Sequence, residues 1–259
     1  MISVKLNLFS NALSMNQDCR ILLPEPVRAE EQVPVLWLYH GGSGDENEWM
    51  YHSTIAELPD QYHIAMVLVN ANDSCFTDMA YGLPYATYIG KELPETLWSM
   101  FPRLSAKREQ NWISGLSNGG YGALLIGLTF PERFGAIGAF SAGDKADVTY
   151  VRAGEGEITP RIRMFGAEEI QDTPYSIRSL ARKLSQENTV RPRIYHACGG
   201  EDPWLDLNLL VKETFEALND PEFDYVYDQM EGFGHEWSFW DCEIRKFLEY
   251  LNLPLVNRQ

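Results

Sequence analysis

Short apolar runs recur along the chain and alternate with longer stretches of mixed polarity. The almost continuous runs cover residues 33–40, 64–70, 111–117, 135–142 and 193–200. Strands that are buried on both faces of a parallel sheet have this pattern. Near the start of the chain, residues 4–8 and 19–23 alternate apolar and polar positions, which predicts two half-buried strands in an antiparallel pair.

Helix-like segments follow or separate these strands, at residues 86–101, 175–184, 205–218 and about 237–251. Strands that alternate with helices predict an α/β protein with a central, mostly parallel sheet, helices on both faces and no large separate cap. We expect residues 1–259 to form one domain. Residues 143–172 are the least regular part and are expected to form an excursion over one end of the sheet.

Composition limits the classes of partner. The chain has 259 residues, of which 45% are hydrophobic, and this is enough for a sizeable core. Its formal net charge of −16 argues against nucleic acids and anionic membrane surfaces as partners. No apolar run approaches the roughly 20 residues of a membrane-spanning helix. The first residues lack a signal-peptide pattern and the cysteines, Cys19, Cys75, Cys198 and Cys242, are scattered, so we expect reduced thiols and a cytoplasmic location.

The sequence GLSNG carries the first sign of chemistry. Gly115, Ser117 and Gly119 form a G-x-S-x-G motif between a strand-like run and a helix-like stretch. This context is typical of a nucleophile elbow, in which small flanking residues let the strand and the helix approach each other. The helix N-terminus would direct backbone N–H groups at a developing oxyanion. The alternative is a glycine-rich turn with an incidental serine.

A nucleophilic serine needs a base, and two histidines, His196 and His235, follow Ser117 in the sequence. His196 lies inside an apolar run and is expected in the core. His235 lies in a glycine-flanked loop after a strand-like stretch, where a catalytic histidine belongs in an open α/β sheet. We therefore expect His235 to be the base.

The acid that orients the base should precede the last strand. The sequence CGGEDPWLD supplies Glu201, Asp202 and Asp206 at the end of a predicted strand. Asp202 is the preferred candidate and Glu201 is its rival. Asp206 is expected to cap or begin the following helix.

An oxyanion hole usually takes one N–H from the residue after the nucleophile and another from the loop after the third strand. Asn118 would supply the first, and Gly42 or Gly41 the second. His40 is expected to hold that loop. Asp45 and Glu46 are candidates to cap a helix that begins near Trp49.

These motifs resemble those of the esterase D-like branch of the α/β-hydrolases, and most closely those of the tributyrin esterases. The segments that carry the likeness are LYHGGSGDENEW, ELPETLWSMFP, GLSNGGYGALLIGL, CGGEDPW and GFGHEWSFWD. The resemblance implies the α/β-hydrolase fold, a serine carboxylesterase of short-chain acyl esters, a triad of Ser117, Asp202 and His235, and no metal or cofactor. Feruloyl and acetyl carbohydrate esterases and S-formylglutathione hydrolases are similar too. Family members usually carry methionine where this chain has Asn118, a change that affects the acyl pocket but not the backbone N–H.

Aromatic residues near the predicted catalytic residues are the first candidates for the substrate pocket. Trp49, Trp204 and Trp237 lie beside the oxyanion loop, the acid and the base, where they would form an aromatic wall or pack the loops. Further candidates to line or cover the acyl site are Tyr150, Arg152 and Phe165. We expect a small-molecule ester as the substrate and, since related esterases commonly assemble, a dimer or tetramer. An acyltransferase or a non-catalytic binding protein on the same fold is the remote alternative.

Overall fold

Eight strands form one sheet in the computed structural model, which describes residues 1–26, 31–146, 160–166, 170 and 172–256. The strands are β1 (Ile2–Ser10), β2 (Met15–Leu23), β3 (Val35–Tyr39), β4 (Ala65–Val69), β5 (Asn111–Leu116), β6 (Ala136–Phe140), β7 (Arg193–Gly199) and β8 (Val226–Met230). Their order is β1-β2-β4-β3-β5-β6-β7-β8. β2 pairs antiparallel with β1 and β4, and all other pairs are parallel. The predicted N-terminal pair and mostly parallel sheet are confirmed.

Helices connect the parallel strands. They are α1 (Glu48–His52), α2 (Leu58–Tyr62), α3 (Tyr85–Thr87), α4 (Leu93–Met100), α5 (Asn118–Thr129), α6 (Pro160–Phe165), α7 (Ile177–Gln186), α8 (Leu205–Leu218) and α9 (Trp237–Tyr250). The segment predicted as one helix at 86–101 contains α3, a π-helical stretch at Tyr88–Glu92 and α4 in direct succession. The other predicted helices begin and end within a few residues of their expected bounds.

The alternation of side chains along each strand divides the core into two layers. On β3, Val35, Trp37 and Tyr39 face a layer that includes residues of α5, α7 and α8. Leu36 and Leu38 face the opposite layer, to which α1, α2 and α9 contribute. Both sides of the central strands are therefore covered by helices, which explains why their sequences are continuously apolar.

The described parts of residues 143–172 are more regular than expected, because they include helix α6. The loop at residues 80–81 binds this helix through backbone bonds from Ala80 N–H to the Met164 carbonyl and from Tyr81 N–H to the Arg163 carbonyl, each 2.9 Å long. Phe165 is buried, and its ring meets those of Tyr121 and Tyr175 edge-on. Its side chain therefore packs α6 onto the protein. Tyr150 and Arg152 lie outside the described residues.

Candidate active site

The turn between β5 and α5 is as tight as its glycines predict. Ser117 is the N-cap residue of α5 with φ 53° and ψ −117°, a strained conformation for a residue with a side chain. A Cβ atom on Gly115 would lie 2.4 Å from the Gly119 carbonyl oxygen, and one on Gly119 would lie 2.4 Å from that of His40. Only glycine fits at either position while the strand and the helix stay this close.

Ser117, His235 and Asp202 are joined by two hydrogen bonds. His235 Nε2 lies 3.0 Å from Ser117 Oγ, and His235 Nδ1 lies 2.9 Å from Asp202 Oδ2. The three residues follow β5, β8 and β7, so they meet at the carboxyl edge of the sheet. With Nδ1–H donated to the carboxylate, Nε2 is left to accept the serine proton. This arrangement can activate a hydroxyl as a nucleophile.

The carboxylate of Asp202 is buried and accepts several hydrogen bonds. Besides His235, it accepts from the Trp204 backbone N–H, at 2.9 Å, and from the Ser141 hydroxyl. Burial alone would raise the pKa of Asp202, but the bonds from His235, Trp204 and Ser141 outweigh it and hold the pKa below its usual value. Asp202 is therefore an anion at the pH at which a histidine base works.

The rival candidates have other partners. Glu201 is exposed, and Asp206 accepts the Leu207 N–H at 2.9 Å in the first turn of α8. His196 is fully buried, between the Tyr225 hydroxyl at Nδ1 and the Asn208 side-chain oxygen at Nε2, both at 2.9 Å. The structure thus joins Asp202 and His235 to Ser117 by hydrogen bonds, whereas Asp206 and His196 bond to other groups and Glu201 is exposed.

Gly41 and Gly42, in the loop after β3, have different contacts. The Gly41 N–H donates to the Glu48 carboxylate at 2.8 Å and is already used. Gly42 lies against Asn118, because a Cβ atom on Gly42 would be 3.0 Å from Asn118 Nδ2. Of the two glycines, Gly42 is therefore the one that lies against the first residue of α5.

His40 holds this loop from beneath, as expected. It is buried, its Nε2 accepts the Ala71 N–H at 3.0 Å, and its Nδ1 therefore donates to the Gly41 carbonyl at 2.6 Å. Burial lowers its pKa, in keeping with a neutral ring. The cap of α1 differs from the expectation, because Asn47 is the N-cap residue and Asp45 accepts the Asn47 N–H at 2.7 Å. Glu46 is buried instead, where it pairs with Lys5.

Comparison with known proteins assigns this geometry to a family. Residues 10–249 match the protein-family model Esterase, described as "Putative esterase". The chain is also 31% identical over 270 residues to an acetyl esterase of Caldicellulosiruptor saccharolyticus, which covers 97% of this chain and 98% of that protein. The chain belongs to this esterase family.

Solved structures support the same assignment. FphF, a fluorophosphonate-binding serine hydrolase of Staphylococcus aureus, matches the esterase with a TM-score of 0.86 at 26% identity, over 96% of this chain and 98% of that one. An S-formylglutathione hydrolase of the same species matches with a TM-score of 0.84, again at 26% identity and over 96% and 98% of the two chains. The expected α/β-hydrolase fold and esterase D-like family are confirmed. The protein is an enzyme that acts on ester bonds.

The three tryptophans of the esterase do not form one wall. Trp49 is buried, and its indole N–H donates to the Tyr39 carbonyl at 2.9 Å. Trp237 is partly buried and meets the Trp49 ring edge-on, with the ring centroids 5.3 Å apart. These two rings pack the loops, which was the alternative to an aromatic wall. Trp204, 43% exposed, lines the cavity beside Ser117.

That cavity has a volume of about 180 Å³. Its lining residues are Ser117, Asn118, Ser141, Gly143, Lys145, Trp204 and Leu207. Ser141 and Lys145 were not identified from the sequence, although both follow β6, the neighbour of β5 in the sheet. The rule that selected Asp202, a polar residue just after a central strand, would have found them.

Two further features concern residues 1–26, 31–146, 160–166, 170 and 172–256. No group of three or more His, Cys, Asp or Glu side chains in those ranges is arranged to hold a metal ion. None of the described helices is both long enough and apolar enough to span a bilayer.

Proposed function

We propose that the protein is a serine carboxylesterase of short-chain acyl esters that works through Ser117, His235 and Asp202. The hydrogen-bond chain from Ser117 Oγ through His235 to Asp202 carries this proposal, with distances of 3.0 Å and 2.9 Å. The strained turn at Ser117 supports it, because backbone strain of this kind clusters at functional sites.

In the proposed mechanism, Ser117 Oγ attacks the ester carbonyl carbon while His235 Nε2 takes the hydroxyl proton. The carbonyl π electrons move to oxygen, and the tetrahedral intermediate collapses when His235 returns the proton to the departing alcohol. The ester of Ser117 that remains is hydrolysed by water in the same two steps. Asp202 keeps the imidazole in the required tautomer and stabilises its cationic form.

The backbone N–H groups of Asn118 and Gly42 are the proposed oxyanion donors. Asn118 opens α5, so its N–H belongs to the positive end of the helix dipole. Gly42 lies beside it, whereas the Gly41 N–H is held by Glu48. Each such donor contributes about 3–4 kcal/mol to the stabilisation of the transition state.

The size of the cavity supports a small acyl group. Its volume of about 180 Å³ is below the roughly 300–1,000 Å³ of sites for drug-sized ligands. The relative that is similar over 97% of the chain is named an acetyl esterase, and this favours acetyl esters. The likeness to an S-formylglutathione hydrolase supports a small thioester as a second candidate.

The test is hydrolysis of p-nitrophenyl esters from acetate to dodecanoate, with S-formylglutathione, methyl ferulate and acetylated xylan as further substrates. We expect the highest kcat/KM at acetate or butyrate. Ser117→Ala should lower kcat by at least about 10⁴-fold, because the nucleophile is removed while the fold remains. The Ser117→Ala variant should also no longer be labelled by a fluorophosphonate.

Ser238→Ala is the matched control, because this serine is exposed on α9. It should keep full activity and full labelling. If Ser117→Ala retained wild-type turnover, or the ranking peaked at dodecanoate, the proposal would be wrong in its nucleophile or in its acyl length, respectively. Assembly as a dimer or tetramer stays a prediction, and light scattering on the purified protein measures it.

A further inference from the structure

Glu48, on the short helix α1, is bonded to the loop that follows β3. Its side chain is partly buried, and its Oε2 accepts the Gly41 N–H at 2.8 Å. A Cβ atom on Gly44 would lie only 2.6 Å from Glu48 Cδ, so the carboxylate group occupies the space that a side chain at position 44 would need. The loop at residues 41–44 is therefore packed closely around one carboxylate.

The helix that carries Glu48 is anchored at the end of β3. The next residue, Trp49, is buried, and its indole N–H donates to the Tyr39 carbonyl at 2.9 Å. The backbone N–H of Glu48 donates to the Asp45 carbonyl at 3.3 Å. Burial raises the pKa of the Glu48 carboxyl, and the bond from Gly41 opposes that rise. Glu48 thus approaches the loop from a position that is fixed relative to the strand.

The carbonyl of Gly41 is also held, and it belongs to the same peptide unit as the Gly42 N–H. It accepts from His40 Nδ1 at 2.6 Å and from the Gly44 N–H at 3.3 Å. In a planar trans peptide the N–H points away from the carbonyl of the same unit, so these bonds also fix the direction of the Gly42 N–H. Glu48 holds the preceding peptide unit through its N–H. Rotation of either unit would break at least one of these bonds.

The backbone of this loop is strained at one residue. Ser43 has a left-handed conformation with φ 61°, which is uncommon for a residue with a side chain. Such a conformation persists only where the surrounding contacts hold it. The side chains of His40 and Glu48 hold the loop, and Glu48 is the one that reaches it from another element. We therefore expect the loop to relax when the carboxylate is removed.

We propose that Glu48 is a positioning residue of the oxyanion hole: its carboxylate holds Gly41 and thereby fixes the orientation of the Gly42 N–H. This inference rests on the proposed esterase function and on Gly42 as an oxyanion donor. Glu48 acts through the loop and not on the ester itself. Its effect is therefore expected in the transition state, where negative charge develops on the carbonyl oxygen, and hence in kcat.

Glu48→Ala removes the acceptor of the Gly41 N–H. For p-nitrophenyl acetate we expect kcat to fall by about 10- to 100-fold and KM to change by less than about threefold. Glu48→Gln keeps a side-chain oxygen that can accept the same N–H, so its kcat should stay within about threefold of the wild type. Glu213→Ala is the matched control, because it removes the same side chain from an exposed position on α8. It should change neither constant.

A thionoester separates the oxyanion hole from the rest of the catalytic machinery. In O-ethyl thioacetate, sulfur replaces the carbonyl oxygen of ethyl acetate, and sulfur is a weak hydrogen-bond acceptor. The wild type should prefer the oxygen ester by about 100-fold or more in kcat/KM. In Glu48→Ala this ratio should fall by about 10-fold or more, because only the oxygen ester loses its hydrogen bonds. A pH-stat measures both reactions, since each releases an acid.

The contact between Gly44 and Glu48 allows a second test that leaves Glu48 in place. The three atoms nearest to a Cβ atom on Gly44 all belong to Glu48, so Gly44→Ala should displace the carboxylate from Gly41. We expect Gly44→Ala to lower kcat by about 10-fold in the wild-type background, and by less than about twofold in the Glu48→Ala background. Fluorophosphonate titration, taken to completion, counts the competent sites in every sample.

Several outcomes would overturn the inference. They are an active wild type without preference for the oxygen ester, an equal loss on the oxygen and sulfur esters in Glu48→Ala, a Glu48→Gln enzyme as slow as Glu48→Ala, and additive effects of Gly44→Ala and Glu48→Ala. Failure of the proposed function is a different result, because the wild type would then hydrolyse no ester at all.

Discussion

Ser141 shows how a single residue outside the proposed triad can set its geometry. Its backbone is in the left-handed region at φ 53°, and its N–H donates to the Ala197 carbonyl at 2.8 Å. In this position its hydroxyl donates to Asp202 and accepts the Trp240 indole N–H at 3.1 Å. The Trp240 ring also meets His235 edge-on, with centroids 4.9 Å apart. Ser141 and Trp240 are therefore positioning residues for the acid and the base.

We expect Ser141→Ala to lower kcat by about 10-fold, because Asp202 loses a donor that holds its carboxylate toward His235. Loss of that donor also raises the pKa of Asp202. KM should change by less than about threefold, since the hydroxyl acts on the acid and not on the ester. Steady-state kinetics on p-nitrophenyl acetate measure both constants.

Trp240→Phe is the comparison, because it keeps a ring against His235 and removes the indole donor to Ser141. It should lower kcat by less than Ser141→Ala does. A Ser141→Ala enzyme with raised KM and normal kcat would show that the hydroxyl contacts the substrate instead.

At the scale of elements, the site depends on how closely α5 approaches the end of β3. Gly119 lies in the first turn of α5, and a Cβ atom there would be 2.4 Å from the His40 carbonyl oxygen and 2.6 Å from that of Tyr39. Both obstacles are backbone atoms, which cannot rotate away. Because Gly119 has no side chain, the turn at Ser117 can lie this close to the loop that follows β3.

We expect Gly119→Ala to force β3 and α5 apart and to destabilise the protein by about 1–3 kcal/mol, the usual cost of overpacking. The loss of esterase activity should exceed what the loss of folded protein accounts for, because the shift separates Asn118 from Gly42, which are the two proposed oxyanion donors. Urea unfolding and esterase assays measure the two effects. Gly234→Ala is the control for stability, since its new methyl group would meet its nearest neighbour, the Glu201 carbonyl oxygen, at an ordinary 3.7 Å.

At the scale of the whole molecule, one sheet gathers residues that are more than a hundred positions apart. Its strands come from residues 2 to 230, and helix α9 returns to cover one face. This continuity supports the proposal that the chain is one domain. It also buries polar groups deeply, and His196 at the centre of β7 is fully enclosed. Its neutral ring links β7 to Asn208 on α8, which in turn donates to the Trp204 carbonyl at 2.8 Å, beside Asp202.

This buried ring makes the stability of the fold sensitive to acid. Burial lowers the pKa of His196 to about 4, while the bond to Asn208 opposes the shift. In the unfolded chain its pKa is about 6.5, so the unfolded state takes up the proton first as the pH falls. The stabilisation by the neutral ring is complete above pH 6.5 and is lost progressively between 6.5 and 4. This contribution of the neutral ring to the free energy of unfolding is about 3 kcal/mol.

We expect His196→Gln to reduce the loss of unfolding free energy between pH 7.5 and 4.5 by about 2–3 kcal/mol relative to the wild type. The variant should be less stable at pH 7.5, because it disturbs the bonds to Tyr225 and Asn208. An unaltered pH dependence in His196→Gln would contradict the assignment.

The local pattern of the sequence determined the strand runs, the four long helices and the turn at Ser117, because these depend on neighbours within a few positions. The choice of Asp202 and His235 also followed from sequence, since both lie in loops that follow strands of a parallel sheet and such strands end at one edge. Of the short helices, α1 was expected near Trp49, whereas α2 and α6 were not predicted, because five or six residues are too few to show a helical period.

The tertiary structure alone decided the questions that turn on contacts between distant residues. The bond from Gly41 to Glu48 is what singles out Gly42. Trp49 is buried and its indole N–H is bonded to the Tyr39 carbonyl, so its ring is not part of an exposed aromatic wall. Ser141 and Lys145 join the site because β6 pairs with β5. Hydrogen bonds and packing across the sheet have no signature in local sequence, so their consequences emerge only when the strands are assembled.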